Sequence, residues 1–333
     1  MASKSPVTAS TASLSPFLLA LLCLCSIMMQ GMTILFGFTI RRTDLWLLAV
    51  LAGLCFALCL PSGSRMRDRL TGPLQTCVAV VAILDFTLVF PWQAQAFALP
   101  LVDDTVRGID LALGFDHVAW MRWLNANPGI RAVLDVSYRC MIPQMVVVIG
   151  LYAASGRYRA LDRYLAAFAI AIFLTSILSI AAPTRGIVAF LDPAWRGTPS
   201  WPHGATDVAA YDALRSGALR DLSGRPELGI ISFPSFHAAS AVLSAWSFWV
   251  FPSLRLPAIV LDGIMSIATV GCGGHYVMDV AAGHLVAGLA ILLAVRGSDL
   301  GYRLLDRLAS SPALLYRPTD PSARVATAER ATR

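Results

Sequence analysis

Long apolar stretches recur along this chain with little charge inside them, and that pattern restricts the fold more than any other feature. A helix that crosses the hydrocarbon core needs about 20 mostly apolar residues. Roughly eight segments qualify: 14–40, 44–61, 73–99, 134–154, 164–183, 233–252, 256–275 and 278–295. With 57% hydrophobic and 14% charged residues and a mean hydropathy of +0.67, the 333 residues read as a helical membrane protein rather than as two or three soluble domains. The first run is too long for the core of a secretory signal and has no convincing cleavage site, so it reads as an uncleaved span.

The formal charge of +6 comes almost wholly from arginine, Lys4 being the only lysine. The arginines sit in short polar stretches and form no nucleic-acid stripe. They fall between the second and third runs (Ser62 to Arg69), between the fourth and fifth (Arg157, Arg159, Arg163) and after the eighth (Arg296, Arg303, Arg307). An even number of spans puts all three groups on one face, which the positive-inside rule makes cytoplasmic; Arg41 and Arg42 are a minor exception. The long connections 100–133 and 184–232 then emerge on the opposite, exoplasmic face. Within the first, Val118 to Leu124 reads as an amphipathic helix anchored in the interface by its tryptophans, or as ordinary loop packing. The seven cysteines (Cys23, Cys25, Cys55, Cys59, Cys77, Cys140, Cys272) are odd in number and lie in apolar runs, so neither a disulfide framework nor a zinc pattern is indicated.

Three ionisable residues gather at the mouths of spans on the exoplasmic face. His237 opens the sixth run within Pro234-Ser235-Phe236-His237, while His275-Tyr276-Val277-Met278-Asp279 joins the seventh to the eighth. A neutral imidazole can attack phosphorus and become a phosphohistidine if its other nitrogen is held by an acceptor. Asp279, at i+4, can hold His275 in that way. His237 has no carboxylate at that spacing and is free to protonate a leaving oxygen and later activate an acceptor. Ser235 and the amides opening its helix would hold phosphate oxygens. A single histidine near a helix end is more often structural, but two histidines and an aspartate at a membrane boundary are costly to desolvate and mark function. Elsewhere, Asp85 and Arg139 either pair with each other or line a cavity. His284 reads as packing below the site, His117 and His203 as loop residues facing water, and Cys272 as an inert thiol without a basic neighbour.

These residues resemble the type 2 phosphatidic acid phosphatase superfamily. Pro234-Ser235-Phe236-His237 is similar to its second motif, whose histidine protonates the leaving group, and His275 with Asp279 to its third, the nucleophile and its orienting partner. The resemblance covers about residues 73–296. It implies an all-α integral membrane protein with a six-helix catalytic domain at 73–296. Residues 1–72 would carry a tail and about two additional transmembrane helices, and 297–333 a polar cytoplasmic tail. Two departures stand out. The serine and arginine that usually precede the third-motif histidine by seven and six residues are Ala268 and Thr269, and the lysine-containing first motif is not evident. Such losses look like the branch of inositol phosphorylceramide synthases and their bacterial relatives. Asp110 to Asp116 and the Ala182-Pro183-Thr184-Arg185 turn are looser matches to that branch.

The resemblance implies metal-independent chemistry without a cofactor, on a lipid phosphoester, with a lipid or polyol hydroxyl as acceptor in a transferase and water in a phosphatase. Nucleic acid is not among the partners. Its location would be a bacterial inner membrane, the site facing the periplasm. A dianionic phosphate still needs a cation; Arg185 is the candidate on the correct face, with structural pairing to a loop carboxylate as the alternative. Two rival classes are a membrane transporter and a catalytically silent scaffold. Transport is favoured by inverted repeats and broken helices, and no repeat is evident in the sequence.

The arginine distribution makes a sidedness prediction. In a background without the native cysteines, an impermeant thiol reagent should label a cysteine introduced in 200–225 from outside, and one in 64–69 only after permeabilisation; the reverse pattern inverts the topology.

Overall fold

The computed structural model describes residues 14–40, 65–196, 201–202, 207–223 and 231–309. Among these the chain is helical, and one isolated bridge joins Thr39 to Asp221. Helix α1 spans Pro16–Phe36 and α2 spans Arg65–Ala94. Four short helices follow: α3 (Asp103–Ala112), α4 (His117–Ala126), α5 (Pro128–Arg139) and α6 (Met141–Ala154). After α7 (Tyr158–Ala181) and the small α8 (Val208–Ser216), the described residues end in α9 (Phe236–Phe248), α10 (Arg255–Gly271) and α11 (Val277–Ala309).

Five of the described helices, α1, α2, α7, α10 and α11, are long and apolar enough to cross a membrane, and α5 with α6 makes a sixth if the bent pair counts as one span. The protein is an all-α integral membrane protein. Its outer surface supports this: Ile34 is 82% exposed and Leu285 77%, while Ser176, Ser244 and Thr175 are buried. Apolar side chains facing outward around a partly polar interior suit lipid as the surrounding solvent.

Two predicted runs fold differently. The run 134–154 is broken by a 45° bend between Arg139 and Met141. Pro143 explains the break, since it has no N–H to offer the Arg139 carbonyl one turn back. The run 233–252 yields only the 13 residues of α9, about 20 Å of helix. Extended chain leads up to the Ser235 cap, and a turn at Trp249 to Pro252 stops it. The run 44–61 lies outside the described residues. Helix α2 begins before residue 73 and α11 continues past 296, so both boundaries read from the sequence fall inside helices.

Helix α7 is the centre of the bundle. Its alanines at 166, 167, 169 and 171 are buried, as are Ala287, Ala290 and Ala294 of α11, and the two helices pack closely along these small side chains. Helix α1 lies against α2, α7 and α11. Its start is fixed by Asp162, which accepts bonds from the Ser15 N–H at 2.7 Å and the Ser15 hydroxyl at 2.9 Å. Arg163 pairs with Asp299 at this same end. The far end of α7 carries different machinery: Gln95 donates to Ser179 at 3.1 Å, and the Val102 N–H donates to the Pro183 carbonyl at 3.0 Å. The connection 98–127 and the described residues of 182–223 collect at that end, beside both histidines.

Candidate active site

The Ala268 to Asp279 turn is shaped by its glycines. A β-carbon on Gly273 would lie 2.6 Å from the Thr269 carbonyl and 2.9 Å from both His275 Cδ2 and a Tyr138 ring carbon. Gly274 has φ of +73°, a conformation that side chains disfavour. Its carbonyl accepts the Ile187 N–H at 2.9 Å, tying the turn to the 182–191 connection. His275 is thereby brought over the first turn of α11, where its Nδ1 lies 3.1 Å from Asp279 Oδ2. The same oxygen accepts the Tyr276 N–H at 3.1 Å and faces the Ser232 hydroxyl at 3.5 Å. With Nδ1 facing the carboxylate, Nε2 of His275 is the ring nitrogen turned away from Asp279.

His237 comes from the first turn of α9. Ser235 caps that helix: its hydroxyl accepts the Ala238 N–H at 3.3 Å, and its own N–H donates to the Asp279 backbone carbonyl at 3.0 Å. One residue, Asp279, therefore holds His275 through its side chain and the start of the His237 helix through its backbone. The His237 ring stacks on Tyr138, with centroids 4.1 Å apart and planes at 12°, and its Nδ1 is 3.4 Å from the Tyr138 hydroxyl. Both histidines line one cavity of about 260 Å³, together with Thr87, Pro91 and Tyr138.

Other residues named from the sequence fall into place around this pair. Ser235 is fully buried and spends its oxygen on the cap. Arg185 realises the alternative of a loop pairing: Nε and Nη2 both donate to Asp212 Oδ1, at 3.0 and 2.7 Å. Arg139 lines the cavity and pairs with Asp135 at 3.0 Å on its own helix. His284 meets the Ser266 hydroxyl at 3.0 Å, a packing contact. His203 lies outside the described residues. His117 does not face water: it is buried, with Nε2 3.0 Å from Asp110, because α4 packs Met121 and Leu124 onto the bundle and draws its first residue in. Trp123 remains half exposed and stacks on Trp120, with centroids 5.2 Å apart.

Of the two carboxylates of α3, sequence reasoning passed over Asp103 and named Asp110 only as the start of a looser match to one branch of the superfamily. Asp103 and Asp110 are seven residues apart, which sets them on one helix face, and both are buried. Asp110 accepts the Val277 N–H at 2.7 Å and the Met278 N–H at 3.2 Å. It thus satisfies free donors at the start of α11 and places negative charge at its positive end. Asp103 accepts the Tyr276 hydroxyl at 2.9 Å and the N–H groups of Arg185 and Gly186. Burial raises the Asp103 carboxyl above its ordinary range, against the lowering effect of these bonds. Burial likewise lowers the His117 imidazole, against the pull of Asp110. The available signal was two aspartates at helical spacing in a connection next to a membrane, where a buried carboxylate needs partners.

The family comparison agrees with this geometry. The family model described as the PAP2 superfamily, the type 2 phosphatidic acid phosphatases, matches residues 104–293, more than half of the chain. The chain belongs to the PAP2 superfamily. That membership makes it a phosphoesterase or phosphotransferase type of lipid enzyme, with a lipid phosphoester as its substrate. Neither the curated proteins nor the solved structures searched gave a match.

The α3 clamp predicts that Asp110→Ala lowers kcat on a lipid phosphoester by about tenfold or more, because two amides opening α11 lose their acceptor. Asp110→Asn, which keeps one acceptor oxygen, should lose less. Equal activity in wild type and Asp110→Ala would show that the start of α11 holds itself.

Proposed function

We propose that this protein is a membrane-embedded lipid phosphotransferase that works through a phosphohistidine. The observation that carries the reading is one cavity lined by His237 and His275, with His275 Nδ1 held by Asp279. In the first half-reaction His275 Nε2 attacks phosphorus and the bond to the leaving oxygen breaks. His237 supplies the proton that the departing alcohol takes. Asp279 holds the tautomer and balances the charge that builds on the His275 ring. In the second half-reaction the acceptor hydroxyl gives its proton to His237 as its oxygen attacks phosphorus, and His275 is released neutral.

The acceptor decides the name of the reaction. The replaced Ala268-Thr269 pair favours transfer of an inositol-phosphate type of headgroup, as in the inositol phosphorylceramide synthase branch, because a pocket with fewer cations suits a phosphodiester. Hydrolysis of phosphatidic acid or a polyprenyl phosphate is the second reading and uses the same residues with water as acceptor. Ser235 would donate its hydroxyl proton to a phosphate oxygen while keeping its cap. Arg185 would serve the phosphate by exchanging Asp212 for it. The catalytic domain in this reading is 73–296, and the family match lies within it. The site would open to the exoplasmic, periplasmic leaflet, since it lies at the opposite end of α7 from Arg157, Arg159 and Arg163.

His275→Ala should abolish turnover, whereas His237→Ala should still load phosphate onto His275 slowly when the leaving group is already good. Acid-labile phosphate on the purified protein is the measurement, and undiminished turnover in His275→Ala would remove the phosphohistidine mechanism. A second prediction concerns products: with phosphatidylinositol and an added hydroxyl acceptor, transfer product should exceed the hydrolysis product. If phosphatidic acid is consumed at least as fast and polyols never enter the product, the phosphatase reading stands instead.

A further inference from the structure

We propose that Arg139 binds the substrate's phosphate, and that the cavity it lines is built for the single negative charge of a lipid phosphodiester. This rests on the reading of His275 and His237 as the reacting pair. Apart from the two histidines, Arg139 is the only basic side chain among the described residues lining the cavity. Apart from Thr87 and Tyr138, the rest of its wall is apolar, with Pro91, Met141, Ile142, Ile172, Ile231 and Phe236, so a charged headgroup finds its counter-ion at one place and acyl chains find apolar surface elsewhere.

The position of Arg139 follows from the break between α5 and α6. It is the last residue of α5 and directly follows Tyr138, whose ring lies on His237. A phosphate between the histidines and this bend would meet the guanidinium from the side where the leaving group is protonated. The side chain is 61% exposed, and its bond to Asp135 uses Nε. The two terminal nitrogens form the planar fork that grips two phosphate oxygens. Arg185 holds Asp212 through Nε and Nη2, which occupies one side of its guanidinium.

Charge sets the substrate class. Asp135 offsets the Arg139 cation, so the pair is close to neutral before substrate arrives. A phosphodiester monoanion therefore asks less of this site than a monoester dianion, whose second charge meets no further arginine or lysine among the described lining residues and only an apolar wall.

The test uses full-length protein in lipid nanodiscs with short-chain phosphatidylinositol and short-chain phosphatidic acid as probes. Binding is measured in a His275→Ala background, which separates recognition from chemistry, and KM and kcat are measured with His275 intact. Arg139→Gln should weaken phosphatidylinositol binding and raise KM by about 10-fold to 100-fold, the loss of a charge-assisted contact, with kcat changed less than KM. Arg139→Lys should recover part of the loss, since it restores the charge without the fork. Unchanged binding in Arg139→Gln, or no phosphatidylinositol binding by the parent protein, overturns the assignment. Phosphatidic acid bound tenfold tighter than phosphatidylinositol overturns the diester preference. Turnover that survives His275→Ala sinks the phosphohistidine reading, whereas a dead His275→Ala beside a normal Arg139→Gln sinks only the role of Arg139.

Discussion

Asp279 is the residue on which the arrangement depends. It is completely buried, and a carboxylate removed from water costs several kcal/mol unless donors replace the lost hydration. His275 and the Tyr276 amide supply those donors at one oxygen, with Ser232 more distant. The same residue uses its backbone carbonyl to receive the N–H of Ser235. Two histidines nearly 40 positions apart in sequence therefore share one anchor. In a low-dielectric surrounding, each of these contacts is stronger than it would be in water.

The two histidines are held in different ways, and this matches the different roles proposed for them. A nucleophile must keep one nitrogen fixed, and His275 has a carboxylate on Nδ1. A residue that gives and takes a proton must change charge during each cycle, and a strong carboxylate partner would resist the return to neutral. His237 instead has the face of Tyr138 and a long contact to its hydroxyl. Stacking fixes the plane of the ring without tying either nitrogen to a carboxylate.

Much of the fold was legible because lipid imposes a simple length rule on apolar helices. That rule fails where neighbouring helices, rather than lipid, cover a segment. Helix α9 is coated by α7, α10 and α11, so its apolar residues report burial in protein and its short length goes unseen in hydropathy. The bend after Arg139 was also hidden, although Pro143 marks it once the structure is known. At the site, His275 and Asp279 could be paired from sequence because i and i+4 share a helix face. Tyr138, Asp103 and Asp110 could not, since their proximity is set by tertiary packing over more than 90 residues of intervening chain. Arg185 illustrates a different limit: its side of the membrane could be inferred, but its choice of Asp212 depended on where α8 came to rest.

The carboxylates of α3 bear on what the smallest working piece of this protein is. Helix α3 is ten residues long and no membrane span. Yet it supplies the acceptors for the first amides of α11 and for the Tyr276 hydroxyl. A trimmed version that keeps the spanning helices and shortens the connections would retain every reacting group and lose the frame that aligns them. On the proposed mechanism, the minimal catalytic unit would begin no later than Asp103, and the connections would belong to the enzyme as fully as its spans do.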